Sequence, residues 1–183
     1  MRFEDMLLKR ESCRAYADKP VAREDLLKIC EAGRLSPSGC NSQPWKFIVV
    51  DEPEARQRLR DSLLLDNGKT GAPWREGVPA FIVLVEQNAT LMPFALEYFG
   101  SSQHFAANDI GMACMSMCYQ AVELDLGTCI IGMIDQKKTR AALGIPEDRT
   151  IRLVLAVGYP AAEEPRPKKR KAAEEVICFN GWE

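Results

Sequence analysis

The sequence predicts a single domain that combines α-helices with β-strands around a hydrophobic core. The chain has 183 residues, a length typical of one domain that can bury a full core. Its hydrophobic fraction of 46% and charged fraction of 27% are typical of globular proteins and argue against disorder. Apolar residues recur at helical spacing in some stretches and form short runs in others, which indicates both element types.

The first third of the chain predicts two helices, a strand and a further helix. Residues 3–10 and about 21–35 are expected to be helical, because apolar residues recur there at helical spacing. The β-branched run at 46–50 is expected to form a strand. Pro53 then occupies a position favoured in the first turn of a helix, so a helix is expected to reach about residue 65.

The middle of the chain predicts a loop, a central strand and a covering segment. Residues 66–79 contain three glycines and two prolines, which favours a surface loop. Residues 80–86 are apolar on both faces, so we expect a strand that is covered on each side. Residues 87–102 are expected to be irregular and to act as a lid.

The remainder predicts one long helix, three shorter elements and a charged tail. Residues 105–126 are apolar on nearly all sides, so this helix needs burial on most faces, and a dimer interface could supply part of it. Strands are expected at 128–134 and 151–157, with a helix at 136–143 between them. A linker rich in proline and charge then leads to an apolar end, VICFNGW.

Charge and hydropathy exclude several classes of partner. The 24 basic and 26 acidic residues leave a net charge of −2, so no global field attracts nucleic acid or an anionic membrane. No apolar stretch approaches the roughly 20 residues of a membrane span, and the N-terminus carries charges where a signal peptide would be apolar. The seven cysteines are scattered and odd in number, which favours a reducing compartment. We therefore expect a cytoplasmic protein without nucleic-acid or membrane partners.

Metal sites and the common nucleotide-binding loops are not indicated. His104 is the single histidine, which excludes a multi-histidine metal site and leaves any nucleophilic triad dependent on one residue. Cys114 and Cys118 lie one helical turn apart, but the surrounding methionines indicate a core. The sequence contains neither a GxGxxG pattern after a strand nor a P-loop. We expect no metal, and any nucleotide must be held in another way.

Three polar segments remain as candidates for a binding site. RESCR at 10–14 and KKRK at 168–171 carry guanidinium and hydroxyl groups that suit phosphate, although charge alone would also fit two solvated clusters. Between them, SPSGCNSQPW at 36–45 carries exposed amide and hydroxyl groups that could bind the polar edge of a planar heteroaromatic ring.

These segments carry a resemblance to a known family. RESCRAYADKPV, LSPSGCNSQPWKFIVV, DIGMACMSMCYQAVELDLGTCIIGMID and LAVGYPAAEEPRPKKRKAAEEVICFNGW follow one another along almost the whole chain. In this order they resemble the nitroreductase family of FMN-dependent flavoproteins. The resemblance implies an α+β fold with a mainly antiparallel central sheet sandwiched by helices. It also implies an intertwined homodimer with two FMN sites at the subunit interface. Residues 1–183 would then form one domain, with 160–183 as a linker and an arm that embraces the other subunit.

The resemblance assigns a role in cofactor binding to residues at matching positions. Arg10 and Ser12 would hold the phosphate and ribityl end of FMN, and Arg14 would approach the pyrimidine edge, where a cation stabilises reduced flavin. Glu11 belongs to the same motif at a variable position. Lys168 and Arg170 would complete the phosphate clamp. The isoalloxazine ring would be contacted from the neighbouring subunit by Pro37, Ser38 and Asn41. Ile131 and Gly132 would lie near flavin N5.

The activity implied is that of an oxidoreductase working by a ping-pong mechanism. NADH or NADPH would deliver hydride to flavin N5, and a small acceptor such as a nitroaromatic or a quinone would then remove it. The cofactor carries the chemistry, so no catalytic side chain is expected. The alternatives are a reductive dehalogenase-like or flavin-fragmenting enzyme of the same fold, and a flavin-binding redox module without turnover.

Overall fold

A computed structural model describes residues 1–65, 67–90, 92–100 and 103–182, with the side chains of 103 and 104 left out. Residues 91, 101 and 102 of the expected lid therefore lie outside the described residues, as does the side chain of His104. The described helices are α1 Phe3–Lys9, α2 Arg23–Arg34, α3 Pro53–Ser62, α4 Pro93–Phe99, α5 Gln103–Glu123 and α6 Gln136–Leu143. The strands are β1 Trp45–Val50, β2 Ala80–Glu86, β3 Gly127–Ile131 and β4 Ile151–Gly158.

The four strands form one sheet in the order β1-β2-β4-β3, and every neighbouring pair is antiparallel. Strand β2 pairs with β1 on one side and with β4 on the other, and all seven of its residues are buried. The expected antiparallel sheet and the expected central strand at 80–86 are thus confirmed.

Helices cover both faces of this sheet, which confirms the expected sandwich. Alternate residues of β2 point to opposite faces, as the pleat of a strand requires. Ile82 belongs to a core built with α2 and α5, which includes Leu26 and Met117. Phe81 belongs to a second core built with α3, which includes Leu59. The sheet therefore separates two hydrophobic cores.

Two elements differ from the sequence prediction. Residues 87–102 were expected to be irregular, but Pro93–Phe99 forms helix α4, which begins with proline and ends at Gly100 in the left-handed conformation with φ 70°. Strand β3 ends at Ile131 rather than at residue 134. Helix α6 follows shortly afterwards, and Asp135 caps its first turn by accepting the Lys138 N–H at 3.0 Å.

Helix α5 is only partly covered within one chain. Its sheet-facing side is fully buried, but Met112 on the opposite side is 43% exposed. Further exposed apolar side chains lie in α1 and directly after α2: Phe3, Leu7, Leu8 and Leu35. We call this set, together with Met112, the apolar face. No helix within the described ranges is long and apolar enough to cross a membrane.

Candidate functional site

The first and last polar motifs meet in the structure, although about 150 residues of sequence separate them. Residues 166–170 lie against the backbone of 10–14, and together they line an open groove of about 480 Å³. The ammonium group of Lys168 donates a hydrogen bond to the carbonyl oxygen of Arg10. We call this set of residues the basic groove.

Backbone pairing with the sheet holds the first motif in place. The Cys13 N–H donates to the Thr128 carbonyl at 2.9 Å, so the motif runs beside the start of β3. Gly127 permits this approach, because a Cβ there would lie 2.9 Å from the Cys13 side chain. The Ala17 N–H donates to the Tyr159 carbonyl at 2.9 Å, which attaches the far end of the motif beyond β4.

The electrostatics of the basic groove favour an anion. Burial, followed by the positive charges of Arg10 and Arg170, lowers the pKa of Lys168. Arg14 and Lys169 add two more exposed cations to the same lining. A dianion placed among these groups would relieve their mutual repulsion and accept charge-assisted hydrogen bonds. The groove therefore suits a phosphate.

Arg166 is a residue of this site that sequence reasoning missed. Its guanidinium forms an ion pair with Glu11 at 2.7 Å and donates to the Ser12 carbonyl at 2.5 Å. The carboxylate of Glu11 thus binds a cation of the C-terminal linker and connects the first motif, residues 10–14, to residues 166–170. The signal available in the sequence was the single acid in an otherwise basic motif, which calls for a basic partner.

The second polar motif forms a loop with unusual backbone angles. Gly39–Asn41 makes one turn of 3₁₀ helix, and φ is positive at Cys40 (53°), Asn41 (51°) and Gln43 (48°). This left-handed conformation costs a non-glycine residue roughly 1–2 kcal/mol. Inside the loop, the Ser38 hydroxyl accepts the Gln43 N–H at 3.0 Å. We call residues 36–43 the left-handed loop.

Helix α5 supports the left-handed loop at two points. Ser36 Oγ donates to Ser116 Oγ at 2.7 Å, and the Gly39 N–H donates to both carboxylate oxygens of Asp109 at 3.2 Å. Ser116 and Asp109 are seven residues apart, which places them on the same face of the helix. Asp109 is a second residue that the sequence motifs did not single out.

The left-handed loop and the basic groove are separate sites within one chain. The loop contacts α5 at Asp109 and Ser116, while Lys9, which precedes the groove residue Arg10, pairs with Asp125 just past the end of the helix at 2.7 Å. Among the described residues, the lining of the basic groove includes none of Pro37, Ser38 and Asn41.

Ile131 and Gly132 lie at the far end of β3 from the first motif. The Ile131 side chain is 4% exposed and packs in the core on the α3 side. Gly132, directly after it, is exposed and would allow a Cβ without any contact within 4 Å. At this edge the exposed group is thus the main chain at Gly132 and not the side chain of Ile131.

Burial affects the thiols near the first motif. The free thiols are Cys13, Cys30, Cys40, Cys114, Cys118 and Cys129. Burial raises the pKa of Cys13, which lies within the first motif, and of Cys129, which lies on the adjacent strand β3. A hydrogen bond with Cys118, followed by burial, raises the pKa of Cys114. The same hydrogen bond lowers the pKa of Cys118, which is buried beside Cys114. Raised thiol pKa values disfavour the reactive thiolate, so Cys13, Cys114 and Cys129 serve as packing groups. The described residues also contain no cluster of His, Cys, Asp and Glu that could hold a metal.

Comparison with known proteins places this geometry in a family. The model of the nitroreductase family matches residues 7–159, which is most of the chain. The chain therefore belongs to the nitroreductase family. It is 28% identical to an NADH dehydrogenase of Thermus thermophilus, over 94% of this chain and 93% of that protein. It is 23% identical to the iodotyrosine deiodinase 1 of Rattus norvegicus, over 96% of this chain and 68% of that protein.

Solved structures confirm the fold. A nitroreductase family protein from Clostridium difficile 630 superposes with a TM-score of 0.81 at 24% identity, and each chain is covered completely. An FMN-dependent nitroreductase from Clostridium difficile R20291 superposes with a TM-score of 0.76 at 26% identity, over 97% of this chain and 98% of that one.

Proposed function

We propose that this protein is an FMN-dependent oxidoreductase that uses NADH or NADPH to reduce a small oxidised acceptor, such as a nitroaromatic or a quinone. The observation that carries the proposal is the basic groove, which unites the first and last motifs of a nitroreductase family chain. The names of two similar proteins support it, one as an NADH dehydrogenase and one as an FMN-dependent nitroreductase.

The residues of the groove fit the phosphate of FMN. Arg10, Lys168 and Arg170 would bind its oxygens, and the Ser12 hydroxyl would bind the phosphate or the ribityl chain. Glu11 would hold the groove together through Arg166. The lowered pKa of Lys168, which burial and then the charges of Arg10 and Arg170 cause, supports this placement because a bound phosphate would stabilise the ammonium form.

The ring of the cofactor would lie toward the far end of β3. Arg14 would approach its pyrimidine edge, and Ile131 and Gly132 would lie near N5, with Gly132 offering its main chain. When bound, FMN supplies hydride transfer at N5. The chain itself binds the cofactor, stabilises negative charge near Arg14 and leaves room for donor and acceptor in turn. For this reason we assign no catalytic side chain.

A second copy of the chain would complete the site. Packing two α5 helices antiparallel about a two-fold axis brings the left-handed loop of one copy near the basic groove of the other. Pro37, Ser38 and Asn41 would then contact the ring from the partner. This dimer would bury the apolar face, which is otherwise exposed to water.

The C-terminal arm also fits a dimer. Four large apolar side chains near its end are exposed in the single chain, with Trp182 at 98%, the others being Val176, Ile177 and Phe179. We propose that 160–183 embraces the other subunit and shields these groups there. We place the homodimer in the cytoplasm, a reducing compartment that suits a chain with seven scattered cysteines.

Reductive dehalogenation is the second candidate function. It is favoured by the similarity to iodotyrosine deiodinase 1, which extends over 96% of this chain. Helix α4 carries Glu97 and the exposed Tyr98, a charge and an aromatic ring that could contact an aromatic substrate. In this case the acceptor would be a halogenated aromatic compound and halide would be released.

The first experiment is an anaerobic titration of the purified protein. We expect the absorption bands of bound flavin and their loss when NADH or NADPH is added. Reoxidation by a nitroaromatic or a quinone would support the reductase, whereas halide release from an iodinated phenol, measured by ion chromatography, would support the dehalogenase. Flavin bands that neither donor removes would contradict the NAD(P)H-dependent reductase and favour the dehalogenase-like enzyme or the redox module. A colourless protein that takes up no FMN would contradict the proposal.

A further inference from the structure

Asp109 is a buried carboxylate with an unusual role in the fold. Its side chain is 4% exposed, and within the described residues its one hydrogen-bond donor is the Gly39 N–H. Burying a carboxylate is unfavourable unless the charge is used, and a carboxylate can accept about four hydrogen bonds. The carboxylate is therefore costly as a core residue, and its single contact is with the left-handed loop.

That contact lies where the loop backbone is most strained. Gly39 directly precedes Cys40 and Asn41, which both have positive φ, and Gln43 follows with a third. Such conformations persist only where surrounding contacts impose them. The Asp109 bond fixes the start of the turn, and the bond from the Gln43 N–H to the Ser38 hydroxyl closes its end.

We propose that Asp109 is a positioning residue, which holds Ser38 and Asn41 in the geometry that binds the flavin ring. This inference rests on the proposed function. Without the carboxylate, the turn can relax to ordinary right-handed angles, and the Asn41 side chain then points elsewhere. Asp109 itself lies in α5 and acts on the ring only through the loop.

The test compares Asp109→Leu with Asp109→Asn. Leucine removes both acceptors, while asparagine keeps one oxygen for the Gly39 N–H in a side chain of nearly equal shape. We expect the Kd for FMN to rise about tenfold or more in the leucine variant and by less than about threefold in the asparagine variant. The visible circular dichroism of the bound flavin should change only with leucine.

A separate control distinguishes positioning from loss of stability. Thr139→Ala removes a buried hydroxyl that lies 3.1 Å from Ser62 Oγ, on the opposite face of the sheet. This variant should lose stability but keep the affinity and the dichroism of the bound FMN. If the control and Asp109→Leu lose FMN in proportion to their lower melting temperatures, Asp109 has no positioning role.

Hydrogen exchange gives a readout that does not depend on FMN. In the protein without cofactor, amides of the left-handed loop should exchange about tenfold faster in Asp109→Leu and unchanged in Thr139→Ala. Unchanged exchange in Asp109→Leu overturns the inference. A wild-type chain that takes up no FMN overturns the proposed function instead, and the exchange rates still decide whether Asp109 anchors the loop.

Should Asp109→Leu fail to fold, Gly39→Pro removes the donor of the same bond and places the proline Cδ against the Asp109 carboxylate, so that the contact is lost from the other side. Proline has no N–H, and Ser38 already has the extended backbone, φ −147° and ψ 152°, that a following proline requires. Faster exchange of the loop and weaker FMN binding are expected here as well. A folded proline variant with wild-type exchange and affinity would contradict the proposal.

Discussion

At the scale of single residues, neighbours of the same type in the basic groove differ in what they can do. Lys168 is partly buried and donates to the Arg10 carbonyl, whereas Lys169 is exposed. A held cation loses less freedom when a ligand binds, and partial burial shields it from water. Position in the groove, more than charge, should therefore decide which lysine binds the cofactor.

This difference predicts unequal effects of two matched substitutions. Lys168→Ala should raise the Kd for FMN roughly tenfold or more, the scale of one charge-assisted hydrogen bond, and Lys169→Ala by less than about twofold. Fluorescence titration of the protein freed of flavin measures both. Equal losses in the two variants would show that the groove acts only through its overall charge.

The lowered pKa of Lys168 also predicts a pH dependence. Binding of a dianion needs the ammonium form, and a pKa below its ordinary value means that this form is lost earlier as the pH rises. The FMN affinity of the wild type should therefore decline as the pH rises, and this decline should begin at a lower pH than the ordinary pKa of lysine would give. Lys168→Arg stays charged and should bind with a flatter profile. Titrations of both proteins from pH 7 to about pH 10 check this, and parallel profiles would contradict it.

At the scale of elements, the linker after β4 is attached to the first motif by an ion pair. Arg166 binds Glu11 at 2.7 Å, with a fractional side-chain exposure of 59% for the arginine and 23% for the acid. Pairs this exposed contribute about 1 kcal/mol or less to stability. The pair should therefore matter more for where the linker lies than for how stable the fold is.

A double-mutant cycle tests this attachment. Glu11→Gln and Arg166→Gln should each weaken FMN binding by about threefold to tenfold, and the double variant should lose no more than either one. Melting temperatures should change little, because the pair is exposed. Strictly additive losses would show that the two side chains act separately on the cofactor.

The elements themselves were largely predictable because apolar spacing reflects which face is buried. Helix α4 was missed since its apolar side chains, including Phe94 and Tyr98, are exposed and face no core of this chain. In the site, Arg10 and Lys168 stand within recognisable motifs. Arg166 and Asp109 could not be found in this way, because their partners lie 155 and 70 residues away and only the folded chain brings them together.

At the scale of the whole molecule, the proposed site needs a second copy of the chain. Among the described residues, the lining of the basic groove includes none of Pro37, Ser38 and Asn41, and the apolar face is exposed in one chain. A two-fold axis beside α5 would account for both observations. Dimer formation and flavin binding should then be linked, since binding at a shared site stabilises the assembly.

Met112→Arg tests this linkage directly. Met112 is 43% exposed on α5, so arginine there should be tolerated by the single chain but would bury a charge in the dimer. We expect a folded monomer by sedimentation analysis and a Kd for FMN raised more than about tenfold. Gln57→Arg, which adds the same charge to α3 across the sheet, should remain dimeric and bind FMN normally. A monomer that keeps full affinity would mean that one chain forms the whole site, and then Pro37, Ser38 and Asn41 would have no place in it.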